Sequence, residues 1–286
     1  MKANLVTTVP DMTIDSHEVL YLLVDGAQIE HLAVKLYGLK GELDLEPIYL
    51  DAPYQELLPV SPYVIRATQS VTDWFLELNE AMAGYFFSSS LPLNQVADGL
   101  RSLIKVESPY GSSVFAKMAN TECGYILLST RVANLWQVMN QAWLPTRKGW
   151  QHLVKPDALL AMEQGTYKLS DEQWRLLGQV TWCNTLESIE NHMLRWFPET
   201  LAQHASQPDW LALQAENAYQ QGFSSERDLL MFFNVIGFVG LQAVQEPVYA
   251  DIFQLIHQPS QQTPSQRIEA AANLAYQYSQ SQERQA

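Results

Sequence analysis

Three features of this 286-residue sequence predict its fold class: an α/β N-terminal domain, a mixed sheet with flanking helices, followed by an all-α helical C-terminal domain. In the first half short apolar runs alternate with amphipathic segments, the pattern of strands layered against helices. In the second half strand signal is scarce and helix-start signatures follow one another. Composition also shifts near residue 150, with 20 glutamines after it against 6 before it. The expected division is residues 1–145 for the α/β domain, 146–165 for a linker and 166–286 for the helical domain.

Val19–Asp25 (VLYLLVD) is continuous, apolar and ended by Asp25-Gly26, which reads as a buried strand. Gln28–Leu39 follows as a helix with Ile29, Leu32, Ala33 and Leu36 on one face. Glu46–Leu50 and Pro62–Ala67 are two more short strands. Ser70 to Asp73 has the spacing of a capping box, opening a helix through Trp74, Phe75 and Leu78. Gly84–Ser88 is a fourth strand, and Leu93–Ile104 a helix turning Val96, Leu100, Leu103 and Ile104 inward. Lys105–Glu107 and Ser113–Lys117 flank the turn signal Pro109-Tyr110-Gly111-Ser112. Leu144–Tyr167, with two prolines and two glycines, reads as the connection, with one short helix near Asp157–Glu163.

Ser170-Asp-Glu-Gln173 is a capping box opening a long helix through Trp174, Leu177, Val180, Ile189 and Leu194, stopped before Pro198. Ser225 with Asp228 opens another, through Leu229, Phe232, Phe233, Ile236 and Val239. Thr263-Pro264-Ser265-Gln266 combines an N-cap, proline at the first helical position and glutamine at the third. The helix it starts carries Ile268, Ala271, Leu274 and Ala275. Leu229–Val244, the most apolar stretch, is shorter than a membrane span and reads as a buried helix.

Apolar residues make up 47% of the chain, enough for a sizeable core, and charged residues 17%. Seventeen basic residues against 31 acidic ones give a net charge of −14. That balance argues against nucleic acid and anionic membrane as general partners, because both attract basic patches. Two cysteines, Cys123 and Cys183, form neither a disulfide framework nor a four-Cys zinc site, and both are expected in the core as reduced thiols. Met1–Asp15 shows no apolar signal-peptide core, so a cytoplasmic location is expected.

The search for chemistry turns up little. The 13 glycines are scattered, with neither a dinucleotide fingerprint nor a P-loop, and no cofactor is expected. His17, His31, His152, His192, His204 and His257 show no i,i+4 pairing and read as structural. Asp25 and Asp51 each end an expected strand, where parallel sheets place ligands, so the pair could serve a metal-dependent hydrolase. With no third acid at a matching strand end, a turn at Asp25-Gly26 and a helix cap at Asp51 explain them better.

Several segments in order resemble a known family. They are Tyr21-Leu-Leu-Val-Asp25-Gly-Ala-Gln28, Leu36-Tyr37-Gly38-Leu39, Glu46-Pro-Ile-Tyr49-Leu-Asp51, Tyr54-Gln-Glu-Leu57 and Val60-Ser-Pro-Tyr63-Val64. Trp74-Phe-Leu, Gly84-Tyr-Phe-Phe-Ser88 and Leu100-Arg-Ser-Leu103 continue the series. Together they resemble the N-terminal domain of type VI secretion adaptor proteins, the effector chaperones, over residues 18–130. Gly222-Phe-Ser-Ser-Glu226-Arg-Asp-Leu229 is similar to the helical extension that many members carry. Asn120 stands where members have the Asp of an Asp-Pro pair, and the proline is absent.

The resemblance implies a non-enzymatic cytoplasmic chaperone. Its implied partners are a toxin effector encoded nearby and the VgrG spike protein onto which that effector is loaded. The candidate partner surface is the stretch Tyr49–Tyr63. Tyr49, Pro53, Tyr54, Pro59, Pro62 and Tyr63 make it rigid and aromatic, and rigid aromatics bind at low entropic cost.

Overall fold

The structure is a computed structural model that describes residues 9–78, 80, 82–159 and 165–283. The short helix expected near Asp157–Glu163 falls largely on residues 160–164, outside the described residues. The chain divides into two compact units, Met1–Val180 and Thr181–Ala286.

In the first unit eight strands are described: β1 (Val19–Val24), β2 (Leu45–Pro47), β3 (Tyr63–Arg66), β4 (Gly84–Ser89), β5 (Lys105–Glu107), β6 (Ser113–Phe115), β7 (Gln141–Thr146) and β8 (Gly149–Val154). Six of them form one sheet in the order β2-β3-β1-β4-β7-β8, and β5 and β6 form a separate hairpin. The flanking helices are α1 (Leu32–Tyr37), α2 (Gln69–Leu78), α3 (Leu93–Arg101), α4 (Thr121–Ser129) and α5 (Ala133–Val138). The α/β class and flanking helices are as the sequence predicts. The ladders correct one detail: every described strand pair of the sheet is antiparallel, so the sheet is not mixed.

Strand alternation sorts the core onto two faces. Leu22, Val24, Tyr63, Ile65, Phe86 and Trp143 meet Leu32 and Leu36 of α1 and Val71 and Phe75 of α2. Tyr21, Leu23, Val64, Tyr85, Phe87 and Leu144 face the other way, against Val96 and Leu100 of α3, Leu127 of α4 and Trp136 of α5. Central strands buried on both faces read as unbroken apolar runs, which is why VLYLLVD is legible as a strand.

Two further corrections concern local reading. The α2 start lies earlier than the Ser70–Asp73 box: Thr68 Oγ1 accepts from Val71 N at 3.4 Å, and Thr72 N donates to Thr68 O at 2.9 Å. The expected connection Leu144–Tyr167 instead carries most of the β7–β8 hairpin, registered from Gln141 opposite Val154 to Thr146 opposite Gly149. Pro145 argues against a strand there, but it sits opposite Trp150 near the hairpin turn while Phe86 pairs with Trp143 further back. Asn120 performs the cap that an aspartate would. Its side chain accepts from Cys123 N at 3.2 Å at the start of α4.

The long helix α6 (Asp171–Trp196) contains the boundary between the units. Its capping box forms as expected, with Gln173 N donating to Ser170 Oγ at 3.2 Å and Ser170 N to Gln173 Oε1 at 2.9 Å. The second unit continues with α7 (Pro198–Gln203), α8 (Trp210–Gln220), α9 (Glu226–Val239), α10 (Gln242–Gln245), α11 (Ala250–His257) and α12 (Pro264–Glu283). Leu229, Phe232, Phe233, Val235 and Ile236 of α9 form the centre, against Ile268, Ala271, Ala272 and Ala275 of α12 and Ile252 and Ile256 of α11. Ser225 caps α9 through Asp228 N at 3.1 Å. The Thr263–Gln266 box of α12 closes at 2.9 and 3.3 Å.

Among the described residues no helix is long and apolar enough to cross a membrane. Cys123 is buried, and burial pushes its thiol up to about 12. Cys183, expected in the core, is exposed. The inward stripe of α6 in the second unit runs through Trp182, Leu186, Ile189 and Met193, which leaves Cys183 and Leu194 on the outer face.

Candidate functional site

The candidate stretch begins where β2 leaves the sheet. Arg101 at the end of α3 holds that point, donating to Glu46 Oε2 at 3.0 Å and to Pro47 O at 2.8 Å, with Asp98 on its other branch at 2.7 Å. Ile48 N then donates to Pro62 O at 2.9 Å, and Tyr49 N to Ser61 Oγ at 2.9 Å, so the two ends of the stretch are tied side by side. Between them the chain makes a turn at Asp51, whose carbonyl accepts from Tyr54 N at 2.9 Å, and a 3₁₀ helix over Gln55–Val60. These bonds close the stretch into a loop.

The six candidate residues separate. Tyr49 and Tyr54 are half-buried and lie with their rings 6.1 Å apart. Pro53 and Pro59 are exposed. Pro62 and Tyr63 are inside the fold, Tyr63 retaining only 6% of its surface, because strand alternation in β3 turns its ring toward α1 and α2. Those two side chains present no surface outside the fold.

The structure adds residues that sequence reading missed. Phe115 of β6 completes an aromatic triad, 6.1 Å from Tyr49 and 6.0 Å from Tyr54. Lys105 Nζ sits over the Tyr54 ring at 5.6 Å and the Phe115 ring at 5.4 Å. Beside the triad, the 3₁₀ helix buries none of its residues, and Leu57, Leu58 and Val60 are all exposed. It lies against α1, which exposes Val34 by 72% and Tyr37 by 71%. The available signal was the run Leu57-Leu58-Pro59-Val60, apolar yet in neither strand nor helix register. The partners from α1 and β6 lie too far away in sequence to be linked by pattern.

Asp25 and Asp51 occupy different settings. Asp25 is buried, and its Oδ1 accepts from Ala27 N at 3.0 Å, which is the turn expected there. Asp51 is exposed and engages Tyr54 through its carbonyl oxygen, not its carboxylate. Because the sheet is antiparallel, the rule that places ligands beyond parallel strand ends does not apply to them. Burial raises the Asp25 carboxyl above its ordinary value of 3.8, against the lowering effect of the Ala27 N–H and of Lys117. A raised carboxyl means that the folded state favours the protonated form, so this residue's contribution to stability falls as pH rises above 3.8. Asp25→Asn keeps the acceptor and removes the charge. It is expected to match or exceed the parent's thermal stability at neutral pH, with the gain vanishing below pH 3.8. A loss of stability at neutral pH would show that the charge itself is required.

The histidines mostly have structural settings, as expected. His192 Nε2 lies 2.6 Å from Asn234 Oδ1, His257 Nε2 lies 2.8 Å from Val244 O, and His152 stacks on Trp143.

Comparison with known proteins adds to this geometry. The model of a family described as Domain of unknown function (DUF4123) matches residues 20–138, from β1 to the last residue of α5. The Accessory protein VasW of Vibrio cholerae serotype O1 (strain ATCC 39315 / El Tor Inaba N16961) is 56% identical over 279 residues, covering 97% of this chain and 95% of that protein. No solved structure matches the chain.

Proposed function

The chain belongs to the VasW-like family of type VI secretion adaptor proteins, and from that membership we propose that it is a cytoplasmic, non-enzymatic adaptor for a toxin effector. It binds the effector encoded beside it and helps load that effector onto the VgrG spike. The observation that carries this reading is the apolar ledge of the first unit. Leu57, Leu58 and Val60 are exposed on the 3₁₀ helix, which touches α1 with its exposed Val34 and Tyr37, and the same loop carries Tyr49 and Tyr54, whose rings meet Phe115. Soluble chains rarely leave such patches open unless a partner covers them. The loop that carries it is tied at both ends, so docking costs little ordering entropy. The net charge of −14 favours a basic partner and speeds its approach at low salt.

The test is co-expression with the neighbouring toxin and with VgrG, followed by the mass of the purified assembly from light scattering. A stoichiometric complex with the toxin is expected. A lone monomer beside folded toxin would defeat the adaptor reading for that pair. Leu57→Asp with Leu58→Asp is expected to leave the fold intact, since neither side chain is buried, and to weaken the complex at least about 30-fold, the scale of a lost hot spot. Unchanged affinity would move the docking surface elsewhere while leaving the adaptor role standing.

A further inference from the structure

The six-stranded sheet has two edges, and they are finished differently. At one edge β2 is three residues long, and the carbonyl of its last residue, Pro47, accepts from Arg101 Nη2 at 2.8 Å. At the other edge β8 offers six residues, Gly149–Val154, with no proline, no charged side chain and no described strand on its outer side. An edge of this length is a template for another strand unless something guards it.

The register fixes which groups point outward. Arg147-Lys148 is a two-residue hairpin loop, so Thr146 and Gly149 form a hydrogen-bonded pair and the pairs alternate from there. Gln151 and Leu153 bond to β7, while Trp150, His152 and Val154 turn their N–H and C=O groups away from it. Two observations agree with this phase. Pro145, which has no N–H to give, stands opposite Trp150, and Lys155 N resumes the ladder by donating to Asn140 O at 2.8 Å. Among the described residues no hydrogen bond reaches the backbone of His152 or Val154 from the outer side. Both residues are exposed, Val154 by 60%. Pro156 ends the run, since it has no N–H.

Charge identifies the occupant. Between Glu122 and Asp157 the chain carries no acidic residue and four basic ones, Arg131, Arg147, Lys148 and Lys155, although acids outnumber bases 31 to 17 overall. Arg147 has Glu122 at 3.8 Å, whereas Lys148 and Lys155 stand exposed at the two ends of β8. Lysines at an edge oppose pairing with a second copy, which would set the same cations along one ladder twice. An acidic strand turns them into cross-strand partners. The field of the whole chain favours a basic body, and this edge is its local exception.

We propose that β8 is a second docking surface, which takes an extended acidic segment of a protein partner as a seventh strand of the sheet. Main-chain bonds from His152 and Val154 supply affinity, and Lys148 and Lys155 select acidic residues at the ends of the segment. The ledge lies on the β2–β3 connection at the opposite edge, five strand spacings or roughly 24 Å across the sheet. One partner can therefore sit on the ledge while another extends β8.

The choice of probes rests on the adaptor reading: they are the neighbouring toxin and VgrG, each titrated into the full chain by calorimetry. Val154→Pro removes an outward N–H and spares the ladder to β7, whereas Val154→Thr keeps that N–H and the branched side chain. Lys148→Glu with Lys155→Glu reverses the charge at two exposed positions without touching the core. One of the two probes is expected to lose about tenfold in affinity with Val154→Pro, and about as much with the charge reversal. The same probe should bind as to the parent in Val154→Thr and in the chain carrying Leu57→Asp with Leu58→Asp. Binding of both probes unchanged by Val154→Pro and by the charge reversal would overturn the edge site and leave the adaptor reading standing. Loss with Val154→Pro alone would overturn the acidic chemistry of the segment. A dimer of the chain by itself that Val154→Pro dissociates would give the edge to a second copy and overturn it equally. Binding of neither probe to the parent would sink the adaptor reading and this surface together.

Discussion

Replacing Gly26 by alanine is expected to destabilise the first unit by about 3 kcal/mol, the upper end for a forced steric insertion. A Cβ at this position would stand 2.1 Å from Ser61 O and 2.9 Å from the carbonyl carbons of Ser61 and Val60. All three are backbone atoms, so no rotamer change relieves the clash. Ser61 is also the residue whose Oγ receives Tyr49 N and closes the candidate loop. Gly26→Ala should therefore lower the melting temperature and weaken partner binding together. Gly178→Ala is the matched control, because Gly178 lies exposed within α6 and a Cβ there meets nothing within 4 Å. That change should raise stability by up to about 1 kcal/mol through helix propensity alone. A Gly26→Ala protein that melts with the parent would show that the two backbones do not approach as described.

Arg267→Met is expected to cost the second unit about 3 kcal/mol, or on the order of 10–20 °C in its unfolding midpoint. Arg267 is buried near the start of α12. Its Nη1 donates to the carbonyls of Leu255, Ile256 and Gln258 at 2.9, 3.2 and 3.1 Å, and its Nη2 to Gln221 O at 3.3 Å. The guanidinium lies 5.3 Å from the centre of the Phe223 ring. Three of these acceptors are at the end of α11, where helical carbonyls lack partners and the helix dipole favours a cation. Methionine retains much of the stem packing and removes every donor, so it isolates the hydrogen bonds. Arg267→Lys should recover only part of the loss, because one ammonium cannot reproduce a fork reaching two chain segments. Full recovery by lysine, read from circular dichroism melts, would show that charge alone suffices.

Arg267 also marks a limit of sequence reading. Nothing around it distinguishes it from a surface arginine on a helix, and its role arises only when α11, the end of α8 and α12 meet. The capping boxes at Ser170 and Thr263 were legible because each is a contact between residues three apart. Thr68 displaced the expected Ser70 cap because two hydroxyl residues two positions apart offer the same chemistry, and where the chain leaves β3 decides between them. Asn120 follows the same local logic, since asparagine and aspartate cap almost equally well.

The candidate site divides similarly. The concentration of prolines and aromatics in Tyr49–Tyr63 could be read directly. The burial of Pro62 and Tyr63, and the arrival of Phe115 and Lys105 at Tyr54, could not. By itself the sequence determined the α/β and helical halves, most strand and helix starts, and the family resemblance, because these rest on periodicities and contacts within a few residues. Tertiary structure alone decided the antiparallel order of the sheet, the β7–β8 hairpin at the supposed connection, and which apolar side chains stay outside. Those outcomes depend on pairings between distant segments, such as Phe86 with Trp143 and α1 with the 3₁₀ helix. Their energies come from burial shared across the sheet, and no local pattern encodes which face a neighbour will cover.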